Sequence, residues 1–309
     1  MSGAGRRVRW RLVAAAVAVA GVSLGLGLCA AVVAVGMTLS APHPSAIGPP
    51  PPDLAGAEGV EIPSASGSVL RGWWVPGMGP GGGAVVLLHG VWENRLRMVA
   101  RARKLAAHGF SVLLIDLQAH GESPGRRITF GHLEGLDAAA AVDYVRDRRP
   151  DDRVGVIGVS LGGAAALLGP ARLAVDGLVL ESVYPDIDAA LSSRLRSGLG
   201  PTVGAVFTPV LTPLFEMLLP PILGVGPGEL RPVDRIGEVR APVLILSGSV
   251  DDRTPIEEAQ ALFARAAGPK SFWAVEGAGH VDLEGFGPEV YWQHVLPFLA
   301  RTLRDAGAS

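Results

Sequence analysis

The run Val154-Gly155-Val156-Ile157-Gly158-Val159-Ser160-Leu161-Gly162-Gly163 decides how the rest of the chain reads. Its first six residues are all apolar or glycine, the pattern of a strand covered on both faces. It then breaks into Gly-x-Ser-x-Gly, where the glycines permit a turn sharp enough to leave Ser160 projecting from its apex on a strained backbone. With 42 glycines in 309 residues, composition alone would produce this pentapeptide with odds of about one in three. Its weight therefore lies in context: a strand before it, a helix after it, and an acid and a histidine downstream.

Outward from this corner, strand and helix alternate. Residues 84–88 are a short apolar strand ending in His89-Gly90, and residues 95–108 carry helical spacing that stops at Gly109. Residues 111–117 read as the next strand and 133–148 as a helix with Pro150 beyond it; a small-residue helix over 161–173 and a strand over 177–181 follow the serine. Such alternation predicts an α/β domain with a mostly parallel sheet and helices on both faces. Before it, residues 60–63 and 69–75 flank Ser66-Gly67-Ser68 as a hairpin, with Trp73 and Trp74 on opposite faces. The alternation breaks after Ser182. Residues 183–239 are rich in Pro, Gly and large apolar side chains and predict a lid insertion over the sheet, or else a packed helical connection with no gating role. Regular order resumes with a strand over 242–248, a helix over 255–267, a strand over 271–275 and an amphipathic helix over 289–304.

The N-terminus has a different character. Arg6, Arg7, Arg9 and Arg11 lie within a basic segment, residues 1–11, and precede residues 12–39, in which Ser23 and Thr38 are the only polar side chains. About 20 apolar residues cross a bilayer, whereas a cleaved signal peptide has an apolar core of about 7–15. The stretch therefore predicts an uncleaved, single-pass transmembrane anchor. No Lys or Arg lies between Leu39 and Arg71, so the arginines place the N-terminus in the cytoplasm and the main domain outside it. Residues 40–59, with Pro42, Pro44 and Pro49 to Pro52, predict an extended spacer that holds a domain of residues 60–309 off the membrane. A net charge of −2 and the lack of a basic stripe argue against a nucleic-acid partner. The lone Cys29 can form neither an internal disulfide nor a cysteine metal cage.

Serine is a weak nucleophile at neutral pH and needs a base within hydrogen-bond reach. Of seven histidines, His43, His108, His132 and His294 fall in the spacer, at helix ends or inside the last helix, and read as solvated. His89, His120 and His280 follow strands. His280 is the candidate base, because Glu276-Gly277-Ala278-Gly279 gives its loop the small residues needed to reach the serine. His89 reads as shaping a turn, and His120 as part of a local turn with Asp116 and Ser123. The orienting acid should lie between nucleophile and base, and Ser247-Gly248-Ser249-Val250-Asp251-Asp252 offers two. Asp251 is the favoured one, leaving Asp252 as a loop or helix-capping group near Pro255. A developing oxyanion needs two N–H donors, expected from the backbones of Leu161 and Val91.

Residues 60–304 resemble the α/β-hydrolase superfamily, and within it the serine hydrolases of serine aminopeptidase S33 or abhydrolase-domain type. The matching pieces are His89-Gly90, Asp116 with His120-Gly121-Glu122-Ser123, Gly158 to Gly162, Gly248 with Asp251 and Pro255, and Gly279-His280. The resemblance implies an eight-stranded, mostly parallel sheet, no cofactor, and Asp251 rather than Asp252 as the acid. Serine rather than aspartate at the turn points to ester, thioester or amide hydrolysis. Because residues 206–225 are apolar, the expected substrate is a hydrophobic ester or acyl compound; no acidic cluster suits a peptide ammonium. Acyl transfer or amide cleavage could use the same three residues, and a non-catalytic binding module on the same fold is the reading from another class.

Overall fold

The computed structural model describes residues 3–169 and 173–304, with side chains placed from Arg9 onward. The side chains of Arg6 and Arg7, and residues 170–172 of the helix expected over 161–173, thus lie outside the described residues. In chain order the elements are α1 (Gly3–Leu39), β1 (His43–Pro44), β2 (Glu58–Pro63), β3 (Val69–Val75), β4 (Ala84–Leu88), α2 (Val99–Ala107), β5 (Ser111–Ile115) and β6 (His120–Gly121). There follow α3 (His132–Arg148), β7 (Val154–Val159), α4 (Leu161–Leu168), β8 (Gly177–Glu181), α5 (Ile187–Leu199), α6 (Pro201–Leu223) and α7 (Pro232–Ile236). The chain ends with β9 (Val243–Gly248), α8 (Ile256–Arg265), β10 (Lys270–Val275), α9 (Leu283–Phe286) and α10 (Pro288–Leu303).

Eight strands form one sheet in the order β10-β9-β8-β7-β4-β5-β3-β2. Pairing is parallel from β10 to β5 and antiparallel for β5-β3 and β3-β2. Every residue of β4, β5 and β8 is buried, as continuous apolar runs demand when helices cover both faces. Alternation within each strand divides the core. Trp74, Val86, Leu88, Leu113 and Val156 pack on one face with Ala138 and Val142 of α3 and Ala164 of α4. Trp73, Val85, Leu87, Leu114 and Ile157 pack on the other with Leu105 of α2 and Val295 of α10.

The C-terminal ends of the parallel strands share one edge, where open α/β sheets place their ligand crevices. Gly158 and Gly162 let β7 and α4 meet there: a Cβ on Gly158 would lie 2.6 Å from Gly163 Cα, and one on Gly162 2.3 Å from the Leu88 carbonyl oxygen. Residues 183–239 build α5, α6 and α7.

The segment expected to stand off as a spacer does not do so. It is extended, but it lies along the domain: β1 pairs in parallel with β6, and the Ile47 and Gly48 amides donate to Glu122 at 2.9 and 3.0 Å. Leu54 is buried among Trp73, Val75 and Met98. The end of α1 is tied down as well. Ile128 N–H donates to the Ser40 carbonyl at 2.8 Å, and the Trp92 indole donates to the Leu39 carbonyl at 3.1 Å. Arg9–Leu39 is long and apolar enough to cross a bilayer.

Candidate active site

Ser160 stands between β7 and α4 with φ 48° and ψ −106°, a region that side chains other than glycine rarely enter. Its amide donates to the Glu181 carbonyl at 2.8 Å, and its carbonyl accepts the Ala164 amide at 3.0 Å, so both sides of the corner are fixed. Leu161 is the first residue of α4, where the backbone N–H has no partner within the helix and the helix dipole is positive.

Asp251 and His280 come together at 2.9 Å, Asp251 Oδ2 to His280 Nδ1. The other oxygen of Asp251 accepts the Arg253 and Thr254 amides at 2.9 and 2.8 Å. Burial alone would raise the Asp251 pKa, but the His280 hydrogen bond, the His280 charge and these two amides together hold it below the ordinary carboxylate value. The carboxylate therefore stays ionised. Asp252 is placed elsewhere. It does not cap α8 but accepts the Ser197 hydroxyl of α5 at 2.6 Å. Gly248 keeps the two strand ends close, since a Cβ there would lie 2.2 Å from the Ala278 carbonyl oxygen.

The loop after β4 completes the edge. Leu117 N–H donates to His89 Nε2 at 3.1 Å, which assigns the ring proton to Nδ1, and Nδ1 lies 2.7 Å from the Gly90 carbonyl. Because a peptide is planar and trans, a Gly90 carbonyl turned toward His89 turns the Val91 N–H the opposite way. Burial, the neighbouring His120 and Arg95 outweigh the Gly90 hydrogen bond and push the His89 pKa down to about 3, so the ring stays neutral. Gly90, Val91, Ser160 and His280 line one cleft. The Asp116 and His120–Ser123 pieces are structural: Asp116 accepts the Arg95 and Glu122 amides and pairs with the Arg95 guanidinium, while His120 is buried with Nδ1 on the Gln118 carbonyl.

A buried ionic cluster below the cleft was not anticipated from the sequence. Glu181, whose carbonyl holds the Ser160 amide, pairs through Oε2 with Arg101 at 2.7 Å, and its Oε1 accepts Tyr291 at 2.6 Å. Arg101 also lies 2.8 Å from Asp282, two residues beyond His280. Burial would lower the Arg101 pKa, but Glu181, Tyr291 and Asp282 raise it well above the ordinary value, so it remains charged. The visible signals were a glutamate closing an apolar strand and an arginine within the helical pattern. Their pairing across 80 residues was not.

A second hollow adjoins the cleft on the other side of Ser160. It holds about 800 Å³ of empty volume, open mouth included, and its walls include Phe130, Leu161, Ile187, Phe215, Leu219 and Ile222. Gly36 and Leu39 of α1 also line it. Arg194 of α5 lines both hollows.

Comparison with known proteins gives a consistent picture. Residues 80–218 match the family model described as serine aminopeptidase, S33. An uncharacterized protein of Mycobacterium tuberculosis strain H37Rv is 32% identical over 252 residues, 81% of each chain. The α/β hydrolase domain-containing protein WAV2 of Arabidopsis thaliana is 29% identical over 256 residues, 79% of each chain. Among solved structures, a Pyrococcus furiosus esterase, Pf2001, superposes with a TM-score of 0.69 at 26% identity, covering 85% of this chain and 98% of its own.

Proposed function

From the premise that this chain belongs to the α/β-hydrolase superfamily, among relatives of serine aminopeptidase S33 type, we propose that it is a membrane-anchored serine hydrolase of hydrophobic carboxylic esters. One observation carries the reading. Ser160 lies on the wall shared by an apolar hollow and a cleft that contains His280, itself hydrogen-bonded to an ionised Asp251. The hollow takes the acyl chain and the cleft takes the chemistry.

Ser160 Oγ attacks the ester carbonyl carbon as His280 Nε2 takes its proton, and Asp251 steadies the imidazolium through Nδ1–H. The Leu161 and Val91 amides receive the oxyanion, at the positive end of α4 and on the peptide that His89 orients. Collapse of the tetrahedral intermediate expels the alcohol, protonated by His280. Water activated by His280 then attacks the acyl-enzyme, and the acid leaves as Ser160 recovers its proton. The anchor is the apolar part of α1 from Leu12, and the arginines that precede Leu12 put the catalytic domain on the extracytoplasmic side.

The test is a fluorophosphonate probe followed by p-nitrophenyl esters of increasing chain length. The full chain is expected to label, Ser160→Ala to abolish labelling, and kcat/KM to rise with acyl length. A folded chain that does not label at Ser160 would overturn the catalytic reading.

A further inference from the structure

Helix α6 is built inside out. Its inward stripe is Gly204, Thr208, Thr212, Phe215 and Leu219, spaced as one helical face and buried. The first three of these are small or polar, and Thr212 shares a 3.2 Å hydrogen bond with Ser192 of α5. The outward face carries Val206 (64% exposed), Phe207 (51%), Val210 (59%) and Met217 (64%). Glu216 is the only ionisable residue in the 23. Helices bathed in water hide such residues, whereas small and hydroxyl residues inside with apolar ones outside is the arrangement of helices packed in lipid.

The neighbour of α6 says what covers this face. At the close of α1, Gly36 packs so tightly on α6 that a Cβ would lie 2.8 Å from Ile222 Cδ1. About 20 residues cross a bilayer, so a crossing that begins at Leu12 ends near Ala31. Val32, the next residue, is the first buried residue among those of α1 whose side chains are described, while Val35 and Met37 beyond it remain exposed. The exposed apolar face of α6 thus continues the exposed apolar surface of α1 at the level of the bilayer boundary. Trp92, half-exposed and bonded to the Leu39 carbonyl at the end of α1, is a residue type that collects at membrane interfaces.

We propose that α6 seats its outward face in the lipid of the adjoining leaflet, so that the seam between α1 and α6 opens the acyl hollow to the bilayer. The substrate class is then an ester-linked lipid whose acyl chain reaches Ser160 laterally from the membrane, without crossing water. The chemistry rests on the serine-hydrolase reading above, but the seating of α6 does not.

Two measurements on the full chain in phosphatidylcholine vesicles keep these apart. An environment-sensitive fluorophore is attached at Val206→Cys or Val210→Cys in a Cys29→Ala background, and at native Cys29 as the anchor control. With the fluorophore on α6, emission should shift to the blue, be quenched by lipids with a shallow doxyl label and be shielded from iodide. Iodide quenching on α6 with Cys29 still quenched by lipid would overturn the seating and leave the anchor standing; iodide quenching at both positions would remove both. In the second measurement, Val206→Asp with Val210→Asp should lose about tenfold in turnover of a long-chain ester dissolved in the vesicles, with a water-soluble short-chain ester within about twofold of the parent. Equal losses on both esters would overturn lateral entry. Failure of the parent chain to take a fluorophosphonate would overturn the hydrolase reading alone, because the fluorescence result does not depend on it.

Discussion

Two hydrogen bonds hold the ring of His89 in one tautomer, and the peptide it orients belongs to the proposed oxyanion site. Neighbouring aspartates offer a sharper test of the residue roles, because Asp251 reaches His280 and Asp252 reaches Ser197. Replacing Asp251 with Asn removes the charge that stabilises the imidazolium and allows the wrong tautomer, so kcat is expected to fall about 10³–10⁴-fold. Asp252→Asn should stay within about twofold of the parent in the same p-nitrophenyl ester assay. Similar losses in the two variants would count against the assignment. Ser160, Asp251 and His280 are proposed from the sequence because each follows a strand, Ser160 directly after β7 and the other two in the loops beyond β9 and β10. Arg101 and Glu181 could not be paired, since burial and a partner 80 residues away leave no local pattern.

At the scale of elements, α5 is bound to α8 by the Ser193 hydroxyl donating to Glu258 at 2.6 Å. Burial, with Asp186 and Asp251 nearby, pushes the Glu258 pKa up to about 7 against the pull of Ser193 and Arg194. A carboxyl raised in the fold is protonated there while already ionised in the unfolded chain. Its contribution therefore lowers stability as pH rises from the ordinary glutamate value to about 7, and the deficit persists above. Glu258→Gln keeps an acceptor for Ser193 without the charge. By thermal denaturation it should melt about 2–4 °C above the parent near pH 8 and level with it near pH 4. The alternation of strands and helices was readable because apolar runs and glycine stops mark each boundary. Helix α6 was not, because Pro209, Pro213, Pro220 and Pro221 read as breakers. All four lie on its exposed side, while the inward face packs on α5. Segment 40–59 lies along the domain where its composition predicts a free spacer, because backbone amides and carbonyls make many of its ties, and these carry no side-chain signature.

For the whole molecule, the decisive fact is that the end of α1 packs on α6 of the α/β domain. Gly36 and Leu39 form part of the apolar hollow beside Ser160, and the Leu39 carbonyl holds Trp92 beside Val91. Deleting residues 1–41 should leave short-chain ester turnover within about threefold while KM for long-chain esters rises about fifteenfold, the worth of two buried methylenes or ~1.6 kcal/mol. Michaelis–Menten kinetics across a chain-length series measure both, and an unchanged long-chain KM would show that α1 contributes no wall. Removing an apolar N-terminus is a routine step toward a tractable sample. Here that stretch supplies Gly36 and Leu39 to the wall beside Ser160, so on the proposed function the shortened protein is expected to rank esters by a preference the intact one does not have.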